Sequence, residues 1–544
     1  MAQKVGIPDY AMQPAKTTRT IEAKACYDKT EFVCMGKQQQ VSFRVEEDIL
    51  VPDIKPDMED ILSIKADCDI NPRERSVVCG EDLVNWTGNI CLQVVYKGVS
   101  GEIVPLETQL PYKHQWKNVH ESEADAAFTC TVTEIEPTIV NERKLRVNVT
   151  LEVRVTYCRK GAISVLTGLS DCETGSLQVK RQPVLLNCLA TVCKDEMEIV
   201  ESFPRRDGVV PKAILRQDYA VTENYKQITG DKIVLNGFIH VTLLYVGFDR
   251  QSAEEKEVVC QQCQRIEFTQ FIPIPRSVRG REFSSDFVEL RGRDFHTDIV
   301  SPLRGEQGEE ISSQKEFQCS GTVETRISLF EKCRKDIVTD AFHTEKEFAF
   351  VMQPRSFETM YSSSASEIST RDVISIMSPP VSTRNYESDL FGYCTPEDVK
   401  LSCDSGRASV EGSLLWHITY RDAEGICGTV KEEVPFHSLV ELEGDVNSDN
   451  VDWRIMLKSC EADFLNDSQI EVRAQLAVIL CSYIEYEIVE LTEPVYIEGI
   501  HRKTYPMIIT SIGPGETLWD VAKRHHIPED SIRETENGRL LIMK

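Results

Sequence analysis

Apolar residues along this chain recur at every second position. Three stretches align without gaps: DLVNWTGNICLQVVYKG (82–98), DKIVLNGFIHVTLLYVG (231–247) and GRASVEGSLLWHITYRD (406–422). Each places a Gly eight residues before a Tyr: Gly88 and Tyr96, Gly237 and Tyr245, Gly412 and Tyr420. Between them Ile90, Leu92 and Val94, then Ile239, Val241 and Leu243, then Leu414, Trp416 and Ile418 alternate with other residues, the period of a strand with one buried face. The Gly marks a bulge or a close backbone approach. A second alternating element follows each, LRVNVTLEVRVTY (145–157), FQCSGTVETRISLF (317–330) and IEVRAQLAVILCSYI (470–484). A further strand stands between the two: ETQLPYKHQW, CQQCQRIEFTQFI and VKEEVPFHSLV.

The pattern predicts three homologous units over 20–175, 176–345 and 346–500. The period is too long for a solenoid, whose repeats run about 20–50 residues. Many short alternating strands predict β-sandwich-like units in a mainly β chain. SPLRGEQGEEISSQK (301–315) reads as a loop, SSSASEIST (362–370) as a polar linker and HRKTYP (501–506) as a boundary.

The alternation stops in the last 40 or so residues. MIITSI (507–512) reads as a strand and GPG (513–515) as a turn. Thr517 stands as an N-cap with Asp520 three residues on, close to a capping box. Leu518, Val521, Ala522 and His525 then follow a helical stripe. Trp519 lies off that stripe and is read either as a cover on a small core or as a displayed anchor for a partner. Pro528 can open a second helix reaching Ile532, and RLLIMK returns as a strand. The prediction for 505–544 is a small βααβ domain.

Charge narrows the partners. A net charge of −27 over 544 residues opposes nucleic acid and anionic lipid surfaces and favours a partner with a basic patch. The start, MAQKVGIPDYAMQPAKTT, lacks the apolar core of a signal peptide. The longest apolar run, AQLAVILC (474–481), is far short of the roughly 20 residues a membrane span needs. The expectation is a cytosolic protein without a transmembrane segment. Most of the 19 Cys are then expected as buried thiols.

Catalytic chemistry has no motif here: no P-loop, G-x-G-x-x-G, G-x-S-x-G or H-E-x-x-H. Cys260 and Cys263 form a lone C-x-x-C with no second ligand pair at zinc-finger spacing. Asp53, Asp57, Glu59 and Asp60 cluster without the spacing of a Ca2+ loop and read as solvated acids around a prolyl turn. His525 and His526 are neighbours, so on a helix they face different ways. No enzyme, cofactor or metal is expected, and three copies of one unit fit a scaffold better than a single catalytic constellation.

IGPGETLWDVAKRHHI (512–527) resembles the first half of the LysM motif, V-x-x-G-[DE]-T-L-x-x-I-A-x-x-[YFH]-x-V, matched at Gly515, Glu516, Thr517, Leu518, Val521, Ala522 and Ile527. LysM domains bind N-acetylglucosamine polymers, peptidoglycan and chitin, between two loops. The resemblance puts Gly513, Pro514, Gly515, Glu516, Thr517, Leu518, Trp519 and Ile527 in the candidate partner- or glycan-binding site. The family's second loop carries an I-x-x-G-Q-x-L stretch, whereas Asn537 here runs directly into GRLLIMK, so that wall of the groove is missing. With its three β units, the whole chain resembles the SPOCS-domain spore coat and cortex morphogenetic proteins with a C-terminal LysM domain. That resemblance implies a non-enzymatic adaptor in the mother-cell cytoplasm at the forespore surface, holding the coat basement layer through the polymerising ATPase SpoIVA. Two alternatives stand beside it: peptidoglycan binding through LysM, and a hydrolase using a carboxylate pair.

Overall fold

The computed structural model describes residues 24–35, 39–70, 76–78, 83–117, 125–170, 176–206, 208–249, 257–300, 316–345, 347–376, 390–404, 406–421, 427–442, 450–466, 468–497, 507–535 and 539–543. The chain is mainly β, and its sheets follow one another along the sequence in pairs.

In the first pair, β3 (Met58–Ile70) and β6 (Ile103–Lys117) flank β5 (Leu83–Gly98), and the short β4 (Ser76–Val78) pairs with the start of β5. Facing it, β8 (Lys144–Ser170) pairs with β7 (Asp125–Asn141) and, in succession along its length, with β2 (Gln39–Leu50) and β1 (Lys24–Met35). The second pair has β11 (Lys232–Asp249) between β10 (Val209–Ile228) and β12 (Glu257–Pro273), then β14 (Glu316–His343) between β13 (Ser285–Val300) and β9 (Leu177–Pro204). The third has β17 (Arg407–Arg421) between β16 (Leu390–Asp404) and β18 (Cys427–Glu441), then β20 (Gln469–Ile497) between β15 (Glu347–Ser375) and β19 (Val451–Asn466). Among the described residues all of these pairings are antiparallel.

Alternation builds the cores. Ile90, Leu92, Val94, Ile239, Val241, Leu243, Leu414, Trp416 and Ile418, three from each central strand, are each exposed by 1% or less. They meet the inward residues of the facing sheet, such as Leu145, Val147 and Val149 in the first unit and Leu476, Val478 and Leu480 in the third. The Gly before each set has a packing reason. Gly88, Gly237 and Gly412 lie opposite Tyr112, Phe268 and Phe436 on the next strand. A Cβ on Gly237 would stand 2.4 Å from the Phe268 ring and 2.7 Å from the Thr222 carbonyl oxygen. The neighbouring strand on the other side shifts register beside Gly237 and Gly412, at Glu223/Tyr225 and Glu397/Lys400. Both the close approach and a bulge are therefore present.

The three units meet through equivalent positions. Ile61, Ile214 and Leu390 pair with the tyrosines of the repeated pattern, Tyr96, Tyr245 and Tyr420. The next residues, Leu62, Leu215 and Phe391, turn away from their own sandwiches into one shared apolar cluster with Val95, Leu244, Val246 and Val259. Register shifts leave Leu62 and Leu215 as the extra residue of a bulge, the device by which a strand re-aims a side chain. Arg216, exposed by 3%, donates to Ser63 Oγ at 2.7 Å and Asp218 Oδ2 at 3.1 Å and lies 5.0 Å over the Tyr393 ring. Lys65 reaches the other Asp218 oxygen at 2.6 Å. Thr419 Oγ1 donates to the Leu62 carbonyl at 2.8 Å, and the Gln261 amide bridges Cys460 O and Gly392 N. Each unit thus touches the other two.

Beyond its sandwich, each long central strand runs on with one partner as a two-stranded ribbon: Cys158–Ser170 with β1, the last turnings of β14 with Leu177–Asn187, and the end of β20 with the start of β15. Leu166, Leu169 and Val338 pack the first ribbon on the second, with Lys335 paired to Asp28. The stretch 362–370, expected as a linker, is part of β15: Ser362 to Thr370 pair with Ser482 to Ala474. Its polar side chains are used, Ser362 on Ser482 at 2.8 Å and Ser363 on the Asp286 carbonyl at 2.7 Å. The expected loop 301–315 and boundary 501–506 lie outside the described residues.

Two histidines, His240 buried and His417 half-buried, tie this fold to acid. His240 contacts Thr222 Oγ1 at 3.0 Å and is held down to about 4 by burial, then by Lys458 and Arg265, with Glu367 opposing. Burial, then Lys431, holds His417 down to about 4, where it stacks on Tyr393 at 4.7 Å. Both stay neutral when folded but gain a proton near 6.5 when unfolded, so the unfolded chain binds more protons between those values. Stability is expected to fall as pH drops from 6.5 towards about 4, and His240→Gln with His417→Gln should flatten that slope in thermal melts. Gly237→Ala is expected to cost about 1–3 kcal/mol by overpacking; Phe268→Leu in the same chain should recover part of it, read as non-additive melting shifts.

Candidate functional site

The described residues of 507–535 and 539–543 build a separate three-stranded sheet, β21 (Met507–Thr510), β22 (Ile532–Glu534) and β23 (Leu540–Met543), in the order β21-β23-β22, with one helix, α1 (Leu518–His525). The turn before the helix has Glu516 N on Gly513 O at 3.1 Å, Pro514 second and Gly515 third at φ 81°, as a type II turn requires. Glu516 is fixed by the Gly513 amide at 2.9 Å and Arg524 at 2.7 Å. The Asp520 carboxylate accepts from the Thr517 amide at 2.8 Å and hydroxyl at 2.7 Å, and these bonds lower its pKa.

The second helix expected from Pro528 is absent: a 3-10 turn, Glu529–Ser531, leads into β22. The strand covers the second edge of β23 and satisfies backbone groups that a helix of one or two turns would leave open. Leu518, Val521, Ile527, Leu540 and Ile542, with Ile508 and Ile532, close a core of their own. Asn537 lies outside the described residues.

Helix α1 has a second buried face. Trp519, expected to be displayed if it serves an external partner, is only 7% exposed. It packs edge-on against Phe342 of β14, ring centroids 5.0 Å apart, with Ala522 and Ile532 beside them. Its Nε1–H donates to Asp340 Oδ2 at 2.7 Å, while Lys523 Nζ donates to Oδ1 of the same carboxylate at 2.6 Å. His526 caps the helix in the left-handed region at φ 51°, which costs a non-glycine residue roughly 1–2 kcal/mol. Its Nδ1–H donates to the His343 carbonyl at 2.9 Å. The geometry is a carboxylate held between an indole and an ammonium, beside an aromatic contact.

The predicted site residues therefore separate. Pro514, Gly515 and Thr517 are exposed, Gly513 and Glu516 half-buried, Leu518 and Ile527 belong to the module core, and Trp519 faces β14. Asp340, Phe342 and His343 were not read as site residues from the sequence. Their signal is the run IVTDAFH (337–343), where Ile337, Val338, Ala341, Phe342 and His343 are all buried and strict alternation fails. A register shift between Val338 and Asp340 leaves Thr339 as a bulge that re-aims the following residues.

The other clusters singled out in the sequence are taken up by local contacts. Cys260 packs inside its sandwich, whereas Cys263 donates to the Cys460 carbonyl at 3.5 Å on the opposite face of β12. In the prolyl turn, Asp57 pairs with Arg143 at 2.6 Å and Glu59 with Lys97 at 2.8 Å. A cavity of 3310 Å³ lies between the three units, and some of the charges along it are paired: Lys65 with Asp218, Arg326 with Glu289 at 3.4 Å, and Lys458 with Glu367. Among the described residues, no helix is long and apolar enough to cross a membrane. No protein-family model, curated protein or solved structure matches the chain.

Trp519→Ala is expected to weaken docking of the module on β14 by about 2 kcal/mol or more, as truncation of an interface anchor does. Hydrogen exchange of the α1 amides should speed up while the three β units keep their melting temperature. Unchanged exchange would show that Trp519 contributes nothing to docking.

Proposed function

We propose that the chain is a non-enzymatic morphogenetic adaptor of the bacterial endospore, built as three SPOCS-type β repeats followed by a shortened LysM-like module. In this reading the repeats form a rigid body at the forespore surface in the mother-cell cytoplasm. The terminal module grips protein, and its partner is a SpoIVA-like coat ATPase. The observation that carries the reading is the use made of Trp519: the most characteristic side chain of the module's helix already packs on a protein strand and shares a carboxylate with Lys523. An aromatic anchor with a directed hydrogen bond is the usual core of a protein interface. The net charge of −27 suits a partner with a basic surface.

Peptidoglycan binding is the second reading, favoured by the exposed Pro514, Gly515 and Thr517 of the first loop. A sugar site needs a concave surface with convergent polar groups, and a single turn supplies one side only.

Affinity purification from sporulating cells, with and without residues 505–544, separates the two. The adaptor reading expects the coat ATPase to be retained by the full chain and lost on deletion, with no retention of the protein on purified peptidoglycan. Peptidoglycan retention that depends on 505–544, without the ATPase, would overturn it.

A further inference from the structure

The α1 face is filled by a segment with a simple chemical description. Asp340 supplies a carboxylate, Phe342 an aromatic ring two residues later, and His343 a backbone carbonyl. Residues two apart on an extended strand lie on one face, so the module reads an acid and an aromatic from the same side of a strand. Trp519 and Lys523 take one oxygen of the carboxylate each. Phe342 is 3% exposed, with the His526 ring edge-on to it at 6.4 Å. These groups recognise a short motif and need little of the rest of β14.

We propose that this face is a peptide clamp for an extended acid-x-aromatic segment, and that Asp340–Ala341–Phe342 occupies it as an internal surrogate that a partner's matching segment must displace. The inference rests on the protein-grip reading above and names the ligand chemistry of that same surface. The partner segment is an Asp or Glu followed two residues on by Phe, Tyr or Trp at an accessible strand or strand end. Tethering sets the strength of the block. A surrogate on the same chain acts at a local concentration on the order of millimolar, and the apparent affinity for a partner falls by the fraction of molecules left open. The closed chain is therefore a weak binder until the surrogate is displaced or removed.

The test uses the full chain and a labelled synthetic peptide of residues 335–345, KDIVTDAFHTE. Asp340→Asn with Phe342→Leu weakens the surrogate while leaving β14 its backbone pairing. This variant is expected to bind the peptide at least about tenfold more tightly than the wild-type chain. Adding Trp519→Ala should abolish the gain, and a peptide with Asn for Asp should bind about tenfold more weakly. Faster hydrogen exchange of the α1 amides, with an unchanged melting temperature for the β units, marks release without unfolding. Equal peptide binding by variant and wild type, or α1 exchange unaltered by the two substitutions, overturns the clamp. Retention of the coat ATPase is scored separately. Peptide binding without ATPase retention leaves the clamp and removes the adaptor reading, and ATPase retention indifferent to all three substitutions does the reverse.

Discussion

Arg216 is buried where three β-sandwiches meet, and a guanidinium taken out of water must be answered on every side. Asp218 answers it from the same strand, Ser63 from the first unit and the Tyr393 ring from the third. Burial by itself pushes the Asp218 carboxyl up, but Lys65 and Arg216 outweigh it and hold it below its ordinary value. Removing one partner of such a group costs about 3–5 kcal/mol because the remaining charges stay buried. The apolar cluster of Leu62, Leu215 and Phe391 alone would let the units slide. The ionic group fixes which residues of each unit face one another, and the cavity and the ribbons take their places from that choice.

The module depends on the body in a parallel way, through a single carboxylate. Within β14 the Asp340 carboxylate accepts only from the neighbouring Ala341 amide, at 2.9 Å, and the strand is held by its pairing to β9. The carboxylate orders the module instead, by engaging two residues of α1 four positions apart. Those two lie on one helix face, turned away from the stripe of Leu518 and Val521 that makes the module core. An eight-residue helix is too short to stand alone in water, and here it is covered on both sides.

The sequence made the β units legible because one buried face leaves a period of two, and Ile90, Leu92 and Val94 could hardly be read otherwise. The Gly of each central strand was legible as special but not as the seat of a cross-strand aromatic, since Gly237 and Phe268 are 31 positions apart in the chain. The junction was hidden for a related reason. Leu62 and Leu215 look like ordinary strand residues, and only a bulge sends them outward. Around 362–370, serines mimicked a linker because their partners, Ser482 and the Asp286 carbonyl, are distant in sequence. In the module, the turn, cap and helix rest on neighbours within four residues and were readable. The second helix was misread because the free edge of β23, which claims Ile532–Glu534, comes later in the chain. Trp519 was singled out, but its occupant lies 177 to 179 positions upstream.

Each of the three units is entered and left at the far end of its ribbon. The chain passes from Ser170 to Leu177, from His343 to Glu347 and from Ile497 to Met507 at those ends. Tension between the chain's two ends is therefore delivered to the ribbon tips. There it opens hydrogen-bonded pairs one after another, as in a zip, and does not shear whole sheets at once. Asp340 sits three residues from the tip at His343, so a pull on the body acts directly on the strand that holds the module. The docking of the terminal module is therefore coupled to tension along the chain.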